Sequence, residues 1–325
     1  MKNNLNHIKK PIEKELKQFE EFFRANLKTK VGLLDLITKY LLKQKGKKVR
    51  PILVLLSAGA VGEISERSFR GAALVEMLHS ATLIHDDVVD NAEQRRGLPS
   101  INAIWKNKVA VLMGDYLLSR GLLIAVENGD YDFLKTITKA VKRMSEGELL
   151  QINKSRKLDI DEPTYFKIIS DKTASLISTC CEIGARSATT DLGIIEKMRD
   201  FGESIGIAFQ IRDDILDYIG TSSVFGKKIG LDILDKKITL PLIYSLLKAS
   251  PSESNLILKQ IKAIKKSESV NTIIDFVKRH GGIEYAEKVA QDYVDKAKNL
   301  ISSLEDSGCK NSLFELIDFF VDRKS

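Results

Sequence analysis

The sequence predicts an all-α fold built as one large bundle of antiparallel helices, and three observations point there. Apolar residues recur at helical spacing: Leu112, Tyr116 and Leu117, then Leu123 and Ile124, and later Phe201, Ile205, Ala208, Phe209 and Leu216. None of the six prolines falls between Thr164 and Leu240, so long helices are permitted there. Strand-like alternation bounded by turn signals is hard to find.

In chain order, "GKKVRP" (46–51) reads as a glycine-led turn. The stretch "RSFRGAALVEMLHSATLIHDDVVD" is apolar nearly all round its circumference, which marks a helix buried inside a bundle. "EQRRGLPS" (93–100) is a loop, "LMGDYLLSRGLL" a helix facing the buried one, and "NGDYD" (128–132) a second loop. "GESIGIAFQIRDDILDYIG" is a second buried helix, followed by the loop "GTSSVFGKKIG" (220–230). The polar, lysine-rich stretch 249–312 is peripheral, and "LFELIDFFV" packs within the bundle or at an interface. No fixed-period repeat or composition break intervenes, so residues 1–325 read as one domain.

The chain of 325 residues, 43% of them hydrophobic, is long enough for a large core. Its 51 basic and 44 acidic residues leave a charge of +7, which suits anionic small molecules, acidic lipid headgroups or nucleic acid. Cys180, Cys181 and Cys309 make neither a disulfide framework nor a paired zinc site, which suits a reducing compartment. The N-terminal stretch has no run of signal-peptide length, and no segment approaches the roughly 20 uninterrupted apolar residues of a membrane span. A soluble, cytoplasmic protein is the expectation.

Two acidic motifs carry the chemistry. "DDVVD" at 86–90 recurs as "DDILD" at 213–217 with the same spacing. On a helix Asp86 stacks with Asp90 and Asp213 with Asp217, with Asp87 and Asp214 to one side, so each helix presents a carboxylate ridge. A helix cap is the plain alternative. Caps, however, favour Asp at the start of a helix, whereas here a long apolar run precedes the acids and the dipole opposes them. Like carboxylates in one site repel, so a cation or a proton must compensate. Oxygen-only donors favour hard cations, Mg²⁺ or Mn²⁺, held together with substrate phosphates. An EF-hand is excluded, because neither motif has the loop glycine and terminal glutamate that Ca²⁺ sites require.

Basic residues accompany the acids: Lys47, Lys48 and Arg50 in the first turn, Arg95 and Arg96 after the first ridge, Lys227, Lys228, Lys236 and Lys237 after the second. Arginine matches phosphate oxygens bidentately while metal carboxylates take the others. "GTSSVFGKK" is not a P-loop: its glycines are spaced one residue too far apart, Lys228 stands where Ser or Thr is needed, and no strand precedes it. Nucleic acid is a poor partner, since the basic residues are not interleaved with stacking aromatics and the acids repel a polyanion.

These residues, together with "EMLHSATLIHDDVVDNAEQRRG", "EGELLQI", "DKTASL" and "GKKIGLDILDKKITLPLIY", resemble the trans-type isoprenyl diphosphate synthases, the polyprenyl synthetases, over most of the chain. The resemblance implies the isoprenoid synthase fold, a bundle around a central active-site cavity. It also implies a head-to-tail condensation of isopentenyl diphosphate with an allylic diphosphate such as farnesyl diphosphate. Asp86, Asp87, Asp90, Asp213, Asp214 and Asp217 would hold three Mg²⁺ ions bridging the allylic diphosphate. Lys47, Arg50, His79 and Arg96 would hold isopentenyl diphosphate, while Arg95, Lys172, Lys227 and Lys237 would contact the allylic diphosphate. Thr173 and Gln210 would turn oxygens toward the developing cation. Lys48 replaces an arginine common in the family, and either Lys227 or Lys228 is the working base. A homodimer is also implied, with at most peripheral membrane contact for product release.

His79 lies two helical turns before Asp86 and on the same face, which sets it apart from His7, His85 and His280, read as structural. Upstream of the acids, Ala81 and Thr82 occupy places where bulky aromatics in the family stop the growing chain. Both are small here. A growing hydrocarbon would pass them and meet Met77 and Leu78, which favours a long-chain product of the kind used for quinone side chains. The plain alternative is that the small residues let another helix pack closely. Two other readings are a short-chain (farnesyl or geranylgeranyl) synthase or related terpene cyclase, and a noncatalytic regulatory subunit of a heteromeric synthase. Such subunits typically lose an acidic motif, and both are intact.

Overall fold

The computed structural model describes residues 2–44, 46, 48–219, 230–264 and 270–321. The chain is all-α, as expected. Its elements are α1 (Lys2–Lys9), a 3-10 turn (Lys10–Ile12), α2 (Glu13–Asn26), α3 (Gly32–Lys43), α4 (Val49–Val61), α5 (Glu66–Val89), β1 (Gln94–Arg95), β2 (Leu98–Pro99), α6 (Ile101–Glu127) and α7 (Tyr131–Lys157). After these come α8 (Glu162–Ile169), a π-helical turn (Ser170–Ala174), α9 (Ser175–Ala188), α10 (Leu192–Ile219), α11 (Leu231–Leu234) and α12 (Leu240–Lys248). The last are α13 (Pro251–Ala263), α14 (Val270–Arg279), α15 (Gly282–Ser302) and α16 (Gly308–Val321).

The chain divides into two compact units. One comprises Met1–Thr138, Thr179–Met198 and Leu304–Leu313, the other Lys139–Ser178, Arg199–Ser303 and Phe314–Ser325. In the first, α5 packs along α6 and against α4. Ile52, Leu53, Val54, Leu55 and Leu56 are all fully buried, so α4 is a core helix throughout its middle. Met77, Ala81 and Ile84 of α5 form one apolar cluster with Met113, Leu117 and Ile124 of α6. Ser100 caps α6, its Oγ accepting from Ala103 N at 3.3 Å. In the second unit α12 packs on α15, α14 and α8. Its core gathers Tyr165, Ile211, Ile215, Tyr218, Leu240 and Phe276.

The stretch 249–312, expected to be peripheral, instead supplies Ile257, Ile273, Phe276 and Ala286 to the core of the second unit, because most of its described lysines cover the outer faces of amphipathic helices. Two local features also depart from the sequence reading. "EQRRGLPS" holds a two-stranded antiparallel hairpin in which Arg95 pairs with Leu98. Its two loop residues, Arg96 (φ 54°) and Gly97 (φ 77°), both take positive φ, the geometry that suits the twist of a tight hairpin. Helix α6 is long and apolar enough to cross a bilayer by length and composition, with an 18-residue window of mean hydropathy 1.7. Charged Asp115 and Arg120 interrupt that run, and one face is core. The outer face leaves Ile104, Val111, Leu112, Leu123 and Val126 exposed. Cys180, Cys181 and Cys309 are free, buried thiols.

Candidate active site

In the first unit the acids stand where the dipole argument put them. Asp86 and Asp87 lie in the last turn of α5, and Asp90 is its C-terminal cap. Asp86 and Asp90 are exposed, whereas Asp87 is buried. Burial of Asp87 is compensated from within the chain: Arg95 Nε donates to Asp87 Oδ1 at 2.8 Å, and a second guanidinium nitrogen reaches the same oxygen. The hairpin that carries Arg95 is tied down by Asn102, whose Nδ2 donates to the carbonyls of Asp87 and Ala92, each at 3.2 Å. Arg95 thus stands as counter-ion to Asp87, so the chain itself supplies part of the positive charge that the acids demand.

Beside this end of α5 sits a cationic group of side chains. His79 is buried, and its pKa is pushed down to about 2, by burial first and then by Arg50, Arg96 and Arg95. It is a neutral imidazole at any physiological pH. Burial also lowers Arg50, whose Nε has no hydrogen-bond partner among the described residues. Glu76 is raised by burial against the pull of Arg50, Arg96 and Lys48. Lys48, at the start of α4, has φ 49° and pairs with Glu20 at 2.6 Å. A small cavity of about 60 Å³ opens here, its lining including apolar Phe19, Phe23 and Leu41 and charged Lys48, Glu76 and Arg96. The structure therefore brings Arg50, His79, Arg95 and Arg96 within electrostatic reach of one another. Lys47 lies outside the described residues.

The second unit holds the other ridge near the end of α10. Asp213 is exposed. Asp214 is buried and accepts from Tyr165 Oη at 2.7 Å and from Gln210 Nε2 at 2.8 Å. Burial nonetheless pushes its pKa up to about 7, against those two bonds and with help from Asp232 and Asp213. Asp217 is raised to about 6, by burial and then by Asp232, although its carboxylate accepts from the backbone N–H groups of Leu231 and Asp232 at 3.1 Å each. Thr173 Oγ1 donates to Gln210 Oε1 at 2.8 Å, which completes a chain from Thr173 through Gln210 and Asp214 to Tyr165.

Two lysines of this unit are engaged by acids. Lys237 Nζ meets Asp232 at 2.9 Å and Asp235 at 3.3 Å. Burial alone would lower its pKa, and these two carboxylates raise it instead. Lys172 pairs with Glu148 at 2.5 Å. Lys227 and Lys228 lie outside the described residues.

The donors fit a hard cation. Each ridge offers carboxylate oxygens without sulfur, and His85 is turned away, its Nε2 lying 3.4 Å from Asp115. Among the described residues no three acids, histidines or cysteines are already gathered into a metal cage. Magnesium commonly binds that way, through one or two carboxylates plus the phosphates of its substrate.

Of the residues proposed to set product length, Met77, Leu78 and Ala81 are buried, Met77 and Ala81 in the apolar cluster shared with α6. Thr82 is half-buried, and its Oγ1 donates to His79 O at 2.9 Å. Sequence reasoning passed over Asp232, Tyr165, Glu76 and Glu148. Asp232 had a signal, since "LDILDKK" repeats the pairing of acids with following bases. Tyr165 had none, because its partner is 49 residues distant and only folding joins them.

Comparison with known proteins agrees with this arrangement. An all-trans-nonaprenyl-diphosphate synthase (geranyl-diphosphate specific) of Rhodobacter capsulatus is 34% identical over 96% of each chain. A short chain isoprenyl diphosphate synthase of Methanothermobacter thermautotrophicus is 34% identical over 88% of this chain and 89% of that one. Among solved structures, a decaprenyl diphosphate synthase from Rhodobacter capsulatus is 31% identical with a TM-score of 0.91, covering 99% of both chains. A polyprenyl synthase from Caulobacter crescentus, complexed with calcium and isoprenyl diphosphate, is 31% identical with a TM-score of 0.88, covering 99% of this chain and 98% of that one. These structures share the all-α isoprenoid synthase fold. The polyprenyl synthetase family model matches residues 31–278, a span that contains both acidic ridges and the cationic cluster, and the chain belongs to that family.

Proposed function

We propose that the protein is a trans-prenyltransferase that adds isopentenyl diphosphate repeatedly, head to tail, to an allylic diphosphate such as farnesyl diphosphate, making a long-chain all-trans polyprenyl diphosphate. The observation that carries the reading is the survival of both acidic ridges, each at the C-terminal end of a buried helix and each beside cationic side chains. Asp86, Asp87, Asp90, Asp213, Asp214 and Asp217 would hold Mg²⁺, or Mn²⁺, together with the allylic diphosphate. Bound there, the metal would stabilise charge on the departing diphosphate.

The chain's own residues do the rest. Arg50, His79 and Arg96, with Lys47, bind the diphosphate of isopentenyl diphosphate; neutral His79 donates a hydrogen bond without adding charge to the arginines around it. Arg95, Lys172, Lys237 and Lys227 meet the allylic diphosphate, releasing the acids that hold three of them in the free protein. As the allylic C–O bond breaks, its electron pair leaves with diphosphate. Thr173 and Gln210 face the resulting cation with oxygen lone pairs. The alkene of isopentenyl diphosphate attacks, and loss of a proton restores a double bond.

Small Ala81 and Thr82 upstream of Asp86 support a long product. The nonaprenyl and decaprenyl synthases above support the same choice, while the short-chain relative supports the alternative. The family match runs through both compact units, which supports one domain over 1–325. The exposed apolar face of α6 supports a homodimer, and the buried free thiols of Cys180, Cys181 and Cys309 support cytoplasmic work. Product transfer would need no more than peripheral membrane contact.

Purified protein incubated with radiolabelled isopentenyl diphosphate, farnesyl diphosphate and Mg²⁺, with the dephosphorylated alcohols then sized, tests the reading. Alcohols of thirty or more carbons are expected. Products that stop at fifteen or twenty carbons would establish a short-chain synthase. No product at all would favour the regulatory-subunit reading.

A further inference from the structure

The π-helical turn Ser170–Ala174 carries Lys172 and Thr173, and close backbone approach seats it on both sides. A Cβ added at Gly147 of α7 would lie 2.9 Å from Asp171 Cβ and 3.0 Å from Lys172 N, and one at Gly206 of α10 would lie 2.6 Å from Ala174 Cα. Contacts this tight set the spacing of the turn against the two helices. They leave its rotation to be fixed by directional bonds.

Arg143 supplies those bonds. Its Nε donates to Asp171 Oδ1 at 2.7 Å. Its terminal nitrogens donate to the two oxygens of Glu203 at 3.2 and 2.7 Å, and one of them also donates to Ser170 Oγ at 2.7 Å. Ser170 Oγ in turn donates to Glu203. Lys167 Nζ reaches the other oxygen of Asp171 at 2.9 Å, and Ser175 Oγ donates to Asp171 O at 2.6 Å. The guanidinium fork therefore joins α7, the turn and α10 through a buried carboxylate. The next two residues after Asp171 are Lys172 and Thr173. Glu203 lies two helical turns before Gln210 on α10, the residue whose Oε1 accepts from Thr173.

We propose that Arg143 is a positioning residue of the prenyl-transfer site: by locking the π-turn to α10 through Asp171 and Glu203, it holds Thr173 and Gln210 at the separation and orientation the allylic cation requires. The proposal rests on the prenyl-transfer reading above. Arg143 itself touches no substrate. Lysine cannot replace it, because a point charge cannot bond two carboxylates and a hydroxyl in one plane.

The test compares Arg143→Met and Arg143→Lys with the wild-type full-length protein in Mg²⁺. It measures kcat and the KM for each substrate alongside the thermal melting curve. A misplacement of about 1 Å at a reacting centre can cost roughly a hundredfold in rate, so kcat should fall at least tenfold in Arg143→Met. The KM for isopentenyl diphosphate should stay at the wild-type value, since Arg50, His79 and Arg96 belong to other elements. Arg143→Lys should recover only part of the loss. A merely structural role would instead lower the folded fraction and leave kcat per folded molecule and the KM values unchanged.

If Arg143→Met fails to fold because Asp171 and Glu203 then face each other uncompensated, Arg143→Met combined with Asp171→Asn and Glu203→Gln keeps the packing without the fork. A folded triple variant with reduced kcat supports the proposal. Wild-type kcat in any folded variant lacking Arg143 overturns it. A wild-type protein that makes no product overturns the prenyl-transfer reading and this proposal with it, whereas an active wild type with an equally active variant overturns the proposal alone.

Discussion

Asp214 and His79 are both buried, and burial moves their protons in opposite directions relative to pH 7. Asp214 is raised from 3.8 to about 7 and Asp217 to about 6, so the folded protein holds these protons more tightly than the unfolded chain. Their contribution to stability is complete below 3.8 and is lost as pH rises through 6 and 7. His79, lowered from 6.5 to about 2, acts the other way: its contribution is present above 6.5 and is lost as pH falls below it. In melting curves of metal-free protein, Asp214→Asn should flatten the decline between about pH 4 and 7, and His79→Asn should flatten the acid side. Unchanged slopes in both variants would show that these groups are not buried as described. Ala81→Phe belongs to the same scale. It should shorten the product alcohols on thin-layer sizing, and because Ala81 already packs beside Met77 and Met113 it should also destabilise by about 1–3 kcal/mol through overpacking.

Single side chains act through the elements that carry them, and the hairpin after α5 shows how. Gly97 sits at φ 77° with nothing within 4 Å of a Cβ, so Gly97→Ala meets no steric contact and costs only the left-handed backbone strain, about 1–2 kcal/mol. A strained hairpin would displace Arg95 and Arg96 together. The expected outcome in steady-state kinetics is a raised KM for both isopentenyl diphosphate and the allylic diphosphate, with a smaller change in kcat. The sequence marked this stretch as a loop, because glycine and proline punctuate it, but two residues per strand are too few for alternation to show. The π-turn was equally hidden, since one extra residue in a helical turn leaves the apolar periodicity almost unchanged.

At the scale of the whole molecule, α6 has two apolar faces: Met113, Leu117 and Ile124 are core, while Val111, Leu112 and Leu123 face outward. Covering that outer face with a second copy of the chain is the proposed use of it. Leu112→Glu together with Leu123→Glu should shift the protein from dimer to monomer in sedimentation velocity. A wild-type monomer would remove the dimer proposal. That second face also explains why the helix matches a membrane span in length and composition although Asp115 and Arg120 lie within it.

The sequence by itself determined the helical class, the positions of the two acidic ridges at the ends of buried helices, and the family. The class and the ridge positions follow from local period and spacing, which folding does not alter, and the family follows from the likeness of whole motifs. "DDVVD" and "DDILD" could be placed on helix faces because residues four apart meet on any α-helix. Tertiary structure alone decided which polar groups face one another: Arg95 on Asp87, Tyr165 on Asp214, the fork of Arg143 between Asp171 and Glu203, and the burial, helped by nearby arginines, that lowers the pKa of His79. These pairings join residues distant in the chain, and their strength depends on burial. Neither is a property of any short stretch of sequence.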